Sequence, residues 1–245
     1  MNVKDYLEKI ISEDGAAHLT LIDPAEQDPS TAAKMASSAV NAGTDAIMVG
    51  GSSQVGEDVL DETILKIKNE VELPIILFPA SEAGVSEHAD AIFFMSLLNS
   101  TDPYFITGAQ RLGAPLVKKF GIEPLPMAYL IIEPGGTVGK VGKADLIPRN
   151  KPEIASNYAL AARYFGMNIV YLEAGSGADK PVPPEMIEDV KKTSGLTLII
   201  GGGIKTSTEA KELVKAGADI LVTGTLIEES GDLEKEVKNI IQAIK

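Results

Sequence analysis

The chain contains no cysteine and only two histidines, His18 and His88. Without cysteine there are no disulfide bonds, no thiolate catalysis and no cysteine-ligated zinc site. Two histidines are too few for a histidine-rich metal centre. A metal site in this chain therefore has to use oxygen ligands, which are the ligands that Mg²⁺ prefers.

The chain also has no excess of positive charge. It contains 22 Lys and Arg residues and 35 Asp and Glu residues, so the formal net charge is −13. This balance argues against nucleic-acid binding and against a basic membrane-surface patch. The sequence has no run of about 20 apolar residues that could span a bilayer. Residues 1–13 lack the apolar core of a signal peptide. We therefore expect a soluble, cytoplasmic protein without a transmembrane segment.

What the sequence does contain is enough apolar material for one large domain. Hydrophobic residues make up 44% of the 245 positions, and about 250 residues is a typical length for a (β/α)8 barrel. Eight predicted strands alternate with helices, which favours a closed parallel barrel over an open doubly wound sheet. The strands are predicted at residues 16–23, 45–49, 73–78, 90–95, 126–132, 168–172, 196–200 and 219–223.

The predicted helices follow the same alternation. They cover residues 30–42, 57–71, 101–119, 152–166, 184–193 and 207–216, with a last helix reaching the C-terminus. Ser30 is a plausible N-cap for the first of these. The fold class is thus predicted as a single-domain (β/α)8 TIM-type barrel covering residues 1–245, with an extra N-terminal helix at residues 2–13.

The connection between the third and fourth predicted strands is short. Residues 79–89 include proline and glycine, and a crossover with a proper helix needs at least about 10–12 residues. We predict that the third helix of the barrel is reduced or missing. The gap would form a side groove that exposes the neighbours of Phe93, Phe94 and Met95 to a long hydrophobic ligand.

Polar and glycine-rich residues follow the strands at the end where barrel enzymes build their active sites. Tyr171 and Glu173 lie two residues apart in a strand and so project to the same face. The strand then ends in Gly175-Ser176-Gly177, whose backbone N–H groups can bind an anion. An ordinary strand-ending turn uses the same residue types.

Two further glycine-rich turns follow the last two strands, at residues 201–203 and at Gly224-Thr225. Turns at these two places are the usual phosphate-binding pair of such barrels. Helix-entry turns are the simpler alternative, but three consecutive glycines are costly in chain entropy. The pattern therefore favours a phosphate site.

Asp23, at the end of the first strand, is the best candidate for a metal ligand, and Ser52 could add a hydroxyl. One carboxylate is enough for Mg²⁺ when substrate phosphates and water supply the other ligands. A strand-ending Asx turn explains Asp23 equally well. His18 lies mid-strand and is expected to be a core residue, and Glu133 is a second possible base followed by loop-forming residues.

Two resemblances to nucleotide motifs are rejected. Gly175-Ser176-Gly177 does not continue as G-x-G-x-x-G, so there is no dinucleotide fingerprint. Residues 135–140 end in Gly-Lys but lack the spacing of a P-loop, and Val141 follows the lysine. Residues 133–148 are predicted to form a mobile lid or loop.

Several strings taken together resemble the geranylgeranylglyceryl phosphate synthase family, from about residue 15 to the C-terminus. The strings at residues 93–99 and 171–178, occurring in this order, are the most specific for this family. The strings are HLTLIDP at 18–24, AIMVGGS at 46–52, FFMSLLN at 93–99, YFITGAQ at 104–110, YLEAGSGA at 171–178 and GGGIK at 201–205.

The resemblance implies transfer of a prenyl group. The C3 hydroxyl of sn-glycerol 1-phosphate would attack C1 of geranylgeranyl diphosphate, with Mg²⁺ as cofactor and diphosphate as leaving group. This would form the first ether bond of archaeal membrane lipids. The resemblance also implies a barrel that lacks a normal third helix and assembly into dimers or larger homo-oligomers.

Matched by position, the resemblance implies that Asp23 and Ser52 bind the metal and that Glu173 and Tyr171 are catalytic. Glu173 would orient or deprotonate the glycerol hydroxyl. The implied glycerol 1-phosphate site comprises Tyr171, Leu172, Glu173, Ala174, Gly175, Ser176, Gly177, Gly202, Gly203, Gly224 and Thr225. Many members have a basic residue soon after the Asp-Pro pair, whereas Ala25-Glu26 follows here, so the cation that opposes the diphosphate is unidentified.

Two other functions remain open at this point. A phosphosugar isomerase or aldolase-like barrel would keep the phosphate turns but needs a second acid–base residue or a Schiff-base lysine, for which Lys205 is the candidate. The other function is a non-catalytic barrel that binds lipid or phosphate. A Glu173→Ala variant that binds ligand normally and shows no change in turnover would favour this function.

Overall fold

Eight parallel β-strands pair in sequence order and close into a barrel when β8 pairs with β1. The structure is a computed structural model that describes residues 1–51, 56–224 and 233–245. The strands are β1 (Ala17–Ile22), β2 (Ala46–Gly50), β3 (Ile75–Phe78), β4 (Ala91–Leu97), β5 (Glu123–Ile131), β6 (Ile169–Glu173), β7 (Thr197–Gly201) and β8 (Ile220–Thr223). The predicted TIM-type barrel is confirmed.

Helices connect these strands on the outside of the barrel, and an extra helix precedes β1 as predicted. The α-helices are α1 (Val3–Asp14), α2 (Pro29–Ala42), α3 (Glu57–Glu70), α4 (Ala109–Phe120), α5 (Gly136–Val141), α6 (Pro152–Tyr164), α7 (Pro184–Ser194), α8 (Ser207–Lys215) and α9 (Leu233–Ile244). A π-helix at Tyr104–Gly108 leads directly into α4. No helix in these ranges is long and apolar enough to cross a membrane.

The alternation of side chains along each strand produces two apolar layers. In β6, Ile169 and Tyr171 point into the barrel, whereas Val170 and Leu172 pack outward under the helices. All five residues of β6 are buried. This explains why the strands are apolar at almost every position, as expected for a parallel sheet covered on both faces.

The start of α2 differs from the sequence prediction. The helix begins at Pro29, and Asp28 rather than Ser30 is the N-cap, because its carboxylate accepts hydrogen bonds from the backbone N–H groups of Ser30 and Thr31. The hydroxyl of Ser30 instead accepts a hydrogen bond from Lys66 of α3. Proline at the first helical position fits this arrangement because its missing N–H would have no partner there.

The connection between β3 and β4 contains no helix, which confirms the predicted loss of the third barrel helix. Residues 79–90 form turns and bends instead. The π-helix follows β4 in the chain, and side chains donate hydrogen bonds to backbone carbonyls of both elements. Gln110 donates to the carbonyls of Met95 and Phe105, and Ser96 donates to that of Ile106.

Two predictions around β5 were wrong. The strand begins at Glu123, three residues before the predicted start, because β4 pairs with it from Ala91 onward despite Pro124 and Pro126. Residues 133–148 contain the short helix α5 rather than only a loop. Backbone hydrogen bonds join the segment after α5 to the segment after β4, including Asp145 N–H to the Asn99 carbonyl at 2.7 Å.

Candidate active site

Glu173 is a buried carboxylate at the end of β6, inside the mouth of the barrel. The backbone N–H of Gly175 donates to Oε1 at 2.6 Å, and the hydroxyl of Tyr129 donates to Oε2 at 3.4 Å. The hydroxyl of Tyr171 also hydrogen-bonds to this carboxylate. Burial raises the pKa of Glu173, and the three hydrogen bonds oppose that rise. A carboxylate in this setting is a better proton acceptor than an exposed glutamate.

Three aromatic rings surround the approach to Glu173. Tyr129 and Tyr171 lie directly opposite each other in the pairing of β5 with β6, and their ring centroids are 5.1 Å apart. Phe78, from the end of β3, lies 5.5 Å from the ring of Tyr129 and 5.7 Å from that of Tyr171. Burial raises the pKa of both tyrosines well above the ordinary value, so both hydroxyls are neutral donors.

The glycine-rich turns after β6 and β7 pack closely against each other. A Cβ atom on Gly202 would collide with Oε1 of Glu173 and would lie 2.7 Å from the backbone nitrogen of Gly175. Gly202 also has φ of +80°, where a side chain is strained. A Cβ on Gly175 would lie 2.7 Å from the backbone of Gly135 and Gly136. Glycine is therefore required by the contact between turns as well as by the backbone conformation.

Asp23 follows β1 and is half-buried at the same end of the barrel. Its Oδ1 accepts a hydrogen bond of 2.9 Å from the backbone N–H of Ala25, as in an Asx turn. Burial raises the pKa of Asp23, and the nearby charge of Glu26 raises it further. A cation beside this pair of carboxylates would offset both effects.

The side chains of Asp23, Glu26, Phe78, Tyr129, Tyr171 and Glu173 all line one cavity above the barrel, of about 1530 Å³ counting its open mouth. Of the predicted site residues, the cavity wall includes Asp23, Tyr171, Glu173, Ser176, Gly177, Gly202, Gly203 and Gly224. Among the described residues of the wall, the one basic side chain is that of Lys205, which is half exposed and lies 4.0 Å from Asp179. We refer to this space as the central cavity.

A second opening lies beside β3 and β4, where the third helix is missing. This side groove has a volume of about 810 Å³ counting its mouth, and its walls come from β3, β4, the π-helix, α4 and α5. Phe93, Phe94 and Met95 line it, as do Phe105 and Val117. The groove is predominantly apolar and suits an extended hydrocarbon chain.

The central cavity and the side groove share part of their walls. Gly51, Phe78, Tyr129 and Val138 line both spaces. Tyr129 thus contacts the side groove on one side and Glu173 on the other. A molecule in the groove and a molecule in the cavity would meet beside the Glu173 carboxylate.

The remaining predicted residues have different positions. The side chains of Leu172 and Ala174 pack in the outer layer under the helices, and the backbone N–H of Ala174 is engaged by the Gly201 carbonyl. Any contact of these two residues with a ligand would therefore be indirect. Ser52 and Thr225 lie outside the described residues.

His18 is a core residue, as expected from its mid-strand position. Its ring nitrogens contact Thr44 Oγ1 and Thr223 Oγ1, each at 3.0 Å, on the outer face of β1. Burial lowers its pKa to about 3. Glu133 is exposed and does not line the central cavity, which leaves Glu173 as the better-placed base.

Tyr129, Phe78 and α5 belong to the site but were not predicted from the sequence. Tyr129 and Phe78 stand in apolar strands and carry no local motif, so only the register between strands relates them to Tyr171. Thr137 and Val138 of α5 line the central cavity. A helix of six residues that contains two glycines gives little periodic signal.

Comparison with known proteins decides the family. The model of the PcrB family matches residues 8–244. The chain belongs to the PcrB family. It is 58% identical over 246 residues to a geranylgeranylglyceryl phosphate synthase of Methanosarcina acetivorans, and the match covers 100% of both chains.

Solved structures of this family agree with the fold. A geranylgeranylglyceryl phosphate synthase from Thermoplasma acidophilum, in complex with its substrate sn-glycerol-1-phosphate, is 44% identical with a TM-score of 0.95 and coverage of 100% and 99%. The corresponding enzyme from Thermoplasma volcanium is 46% identical, with a TM-score of 0.96 and coverage of 100% and 98%. A thiamine phosphate pyrophosphorylase from Pyrococcus furiosus shares only the fold, at 11% identity and a TM-score of 0.60. The predicted family and the predicted prenyltransferase activity are confirmed.

Proposed function

We propose that this PcrB-family chain transfers the geranylgeranyl group of geranylgeranyl diphosphate to the C3 hydroxyl of sn-glycerol 1-phosphate. The observation that carries the proposal is the wall shared by the central cavity and the side groove. It allows a small polar substrate and a long apolar substrate to meet at one carboxylate. Geranylgeranylglyceryl phosphate and diphosphate are the products.

Glycerol 1-phosphate would occupy the central cavity. The turns at Ser176–Gly177, Gly202–Gly203 and Gly224 offer closely spaced backbone to a phosphate group at the ends of β6, β7 and β8. The Thermoplasma acidophilum relative, with this molecule bound, supports the assignment. Lys205 is the cation that can reach the phosphate from the rim.

The geranylgeranyl chain would occupy the side groove, with its diphosphate end toward Gly51. A Cβ on Gly51 would collide with the carboxylate of Asp23, so the ends of β1 and β2 are in contact there. The reacting C1 atom would then lie near Phe78 and Tyr129. The aromatic and aliphatic walls exclude water from this carbon, which favours attack by the glycerol hydroxyl over hydrolysis.

The reaction forms one C–O bond and breaks another. Oxygen O3 of glycerol attacks C1 of the prenyl chain, the bond from C1 to the diphosphate oxygen breaks, and its electron pair leaves with the diphosphate. Glu173 orients the hydroxyl and accepts its proton, while Tyr129 and Tyr171 hold the carboxylate in place. Binding the two substrates in alignment supplies much of the acceleration.

Asp23 would hold Mg²⁺, together with Ser52 and with Glu26 nearby. The described residues contain no group of three or more His, Cys, Asp or Glu side chains that could hold a metal. A site with one or two carboxylates nevertheless fits Mg²⁺, which usually keeps water and substrate phosphates as its other ligands. The ion would offset the charge of the leaving diphosphate.

The test is to incubate the protein with both substrates and Mg²⁺ and to measure ether product and diphosphate. We expect both in equal amounts, and we expect neither after chelation with EDTA. Release of diphosphate without ether product, or no reaction with prenyl diphosphates of any length, would contradict the proposal. Retained turnover in EDTA would contradict the metal assignment alone.

We also propose a cytoplasmic homo-oligomer. Tyr164 and Phe165 at the end of α6 are 77% and 73% exposed, and Ile154 of the same helix is also exposed. Aromatic residues at such exposure are candidates for a subunit contact. Light scattering after size-exclusion chromatography should show an oligomer that Tyr164→Glu with Phe165→Glu converts to monomer. A wild-type monomer would contradict this proposal.

A further inference from the structure

One segment of the chain is basic although the chain as a whole has a negative net charge. Residues 104–151 contain seven Lys or Arg residues and three Asp or Glu residues, whereas the whole chain contains 22 and 35. This segment supplies the π-helix, α4 and α5, which build one wall of the side groove. The basic residues are therefore concentrated on and beside the elements that form this wall of the groove.

Helix α4 separates apolar and basic residues onto opposite faces. Ala109, Gly113 and Val117 line the groove, together with Gln110. On the helical period, the other face carries the exposed basic residues. These are Arg111, Lys118 and Lys119. The helix contains no acidic residue at all.

These positive charges are not neutralised by acidic side chains of the protein. Within the part of the chain that the structure describes, Arg111, Lys118, Lys119 and Lys140 form no salt bridge. Lys119 lies 5.3 Å from the ring centroid of Phe120, a contact that leaves its charge in place. The helix dipole favours lysine in the last turns of α4 and α5. It does not explain Arg111, which lies in the first turn of α4.

Exposed apolar side chains lie beside the charges. Leu112 of α4 is 40% exposed, and Val141 at the end of α5 is 45% exposed and also lines the groove. Lys143 adds a further charge, which is partly offset by its ion pair of 2.7 Å with Asp102. We call the exposed basic and apolar residues of the two groove-wall helices α4 and α5 the mouth face. It comprises Arg111, Leu112, Lys118, Lys119, Lys140 and Val141.

We propose that the mouth face docks on an anionic lipid surface. Basic residues interspersed with exposed aliphatic ones suit the interface of a membrane that carries negative headgroups. The −13 net charge does not forbid this, because exposed charges are screened within about 8 Å at physiological ionic strength. Net charge argues against a basic membrane patch only where the charges are evenly distributed, and here the distribution is uneven.

Docking through the outer face of α4 brings the wall of the groove to the membrane surface, with the helix between the groove and the lipid. A prenyl chain leaving the lipid would then have a short path around this helix into the groove. This last consequence depends on the proposed prenyl transfer, but the docking itself depends only on the exposed charges and apolar groups. Vesicle binding without substrates therefore tests the docking separately from the activity.

The experiment is co-sedimentation with vesicles of phosphatidylglycerol and phosphatidylcholine, with pure phosphatidylcholine vesicles for comparison. The test variant combines Arg111→Glu, Lys118→Glu and Lys119→Glu. The control combines Lys192→Glu, Lys211→Glu and Lys215→Glu, which are exposed on α7 and α8 and give the same net charge. Both sets include lysines in a last helical turn, so their effects on helix stability are matched.

We expect binding to the mixed vesicles that weakens with added salt and little binding to pure phosphatidylcholine. The test variant should lose at least about tenfold in vesicle affinity and the control at most about twofold. Circular dichroism should show both variants folded. Leu112→Gln with Val141→Gln should weaken binding without changing its salt dependence.

Four binding results would each overturn the proposal, and so would one result on self-association. They are no binding to anionic vesicles at low salt, equal binding to neutral vesicles, an equal loss in both charge variants, and equally tight binding of duplex DNA. A self-associated form that the test variant dissociates, and that does not bind vesicles, would also overturn it. The mouth face would then be a contact between copies of the chain.

Discussion

The central cavity and the side groove are adjacent but are built in opposite ways. The central cavity is lined by backbone at the ends of strands and by the carboxylates Asp23, Glu26 and Glu173. The side groove is lined mainly by aliphatic and aromatic side chains, such as Phe94, Met95 and Phe105. One space suits a charged polar molecule and the other a hydrocarbon chain.

The difference shows how one barrel can bind two unlike substrates. The cavity uses the end of the barrel where every strand contributes a turn. The groove exists because one helix is missing, so the outer apolar layer of β3 and β4 is uncovered. Tyr129 belongs to both spaces, and it links the groove to the carboxylate at which the chemistry is proposed.

Replacing Glu173 should have the largest effect, because it removes the proposed base without changing the groove. We expect Glu173→Gln to lower kcat about 10²–10⁴-fold while the KM for geranylgeranyl diphosphate changes little. The matched control is Glu133→Gln, an exposed residue just after β5, which should retain activity. Steady-state kinetics with each substrate varied would test both. An active Glu173→Gln enzyme would show that the carboxylate is not the base.

The same group should govern the acidic side of the pH profile. The pKa of Glu173 is raised by burial, and a base must be unprotonated to accept a proton. Activity should therefore be present at high pH and fall as the pH drops through this pKa, which burial raises from the ordinary glutamate value. The pH dependence of kcat should show this acidic limb. A limb at the pKa of an exposed glutamate would contradict the account.

Gly202 tests the packing of the cavity turns. In Gly202→Ala the new Cβ would collide with Glu173 and crowd Gly175, so glycerol phosphate turnover should fall by about 10²-fold. Gly166→Ala is the control, because Gly166 has a similar φ of +86° but a Cβ added there would meet nothing within 4 Å. Gly166→Ala should lose about 1–2 kcal/mol of stability from backbone strain, and Gly202→Ala should lose more, because its collisions add to the same strain. Equal kinetic effects would mean that strain, not contact, is responsible.

Gly113 tests the side groove alone. Gly113 lies in α4, and its substitution by Leu should obstruct the groove and raise the KM for geranylgeranyl diphosphate about tenfold, leaving that for glycerol phosphate unchanged. Gly113→Ala makes only ordinary contacts with Glu82 and Val85. It should keep activity and stabilise the helix by about 1 kcal/mol. A change in the KM for glycerol phosphate would show that the two sites are not separate.

Lys205 should give the smallest effect. It is half exposed at the rim of the central cavity, where solvent weakens its attraction for a phosphate. We expect Lys205→Gln to raise the KM for glycerol phosphate about three- to tenfold at low salt and less at high salt. Lys180→Gln, nearby and exposed, is the control. A loss of kcat with unchanged KM would give Lys205 another role.

The sequence predicted the parts of the molecule that have local signals. Strand-ending glycines and the Tyr171–Glu173 alternation identify the central cavity, and the short connection before Ala91 indicates the missing helix. These local signals did not identify Tyr129 or Phe78 as site residues, because both are ordinary members of apolar strands. Only the register of β5 with β6 places Tyr129 against Tyr171.

The ends of helices and strands and the distribution of charge over the surface were also not predicted correctly from the sequence. The capping of α2 by Asp28 depends on hydrogen bonds to two successive N–H groups, which sequence alone does not distinguish from capping by Ser30. The strand β5 extends through two prolines because β4 provides its partner. The net charge gave no indication of the basic mouth face, because it averages over the whole surface.

The most direct test of the central claim is a crystal structure with sn-glycerol 1-phosphate and a non-reactive analogue of geranylgeranyl diphosphate bound together. We predict phosphate density at Gly202 and Gly224, a prenyl tail between β4 and α4, and O3 of glycerol within hydrogen-bonding distance of Glu173. We also predict that C1 of the analogue lies next to Tyr129 and faces O3. Prenyl density outside the side groove, or a glycerol hydroxyl remote from Glu173, would contradict the claim that the two substrates meet at this carboxylate.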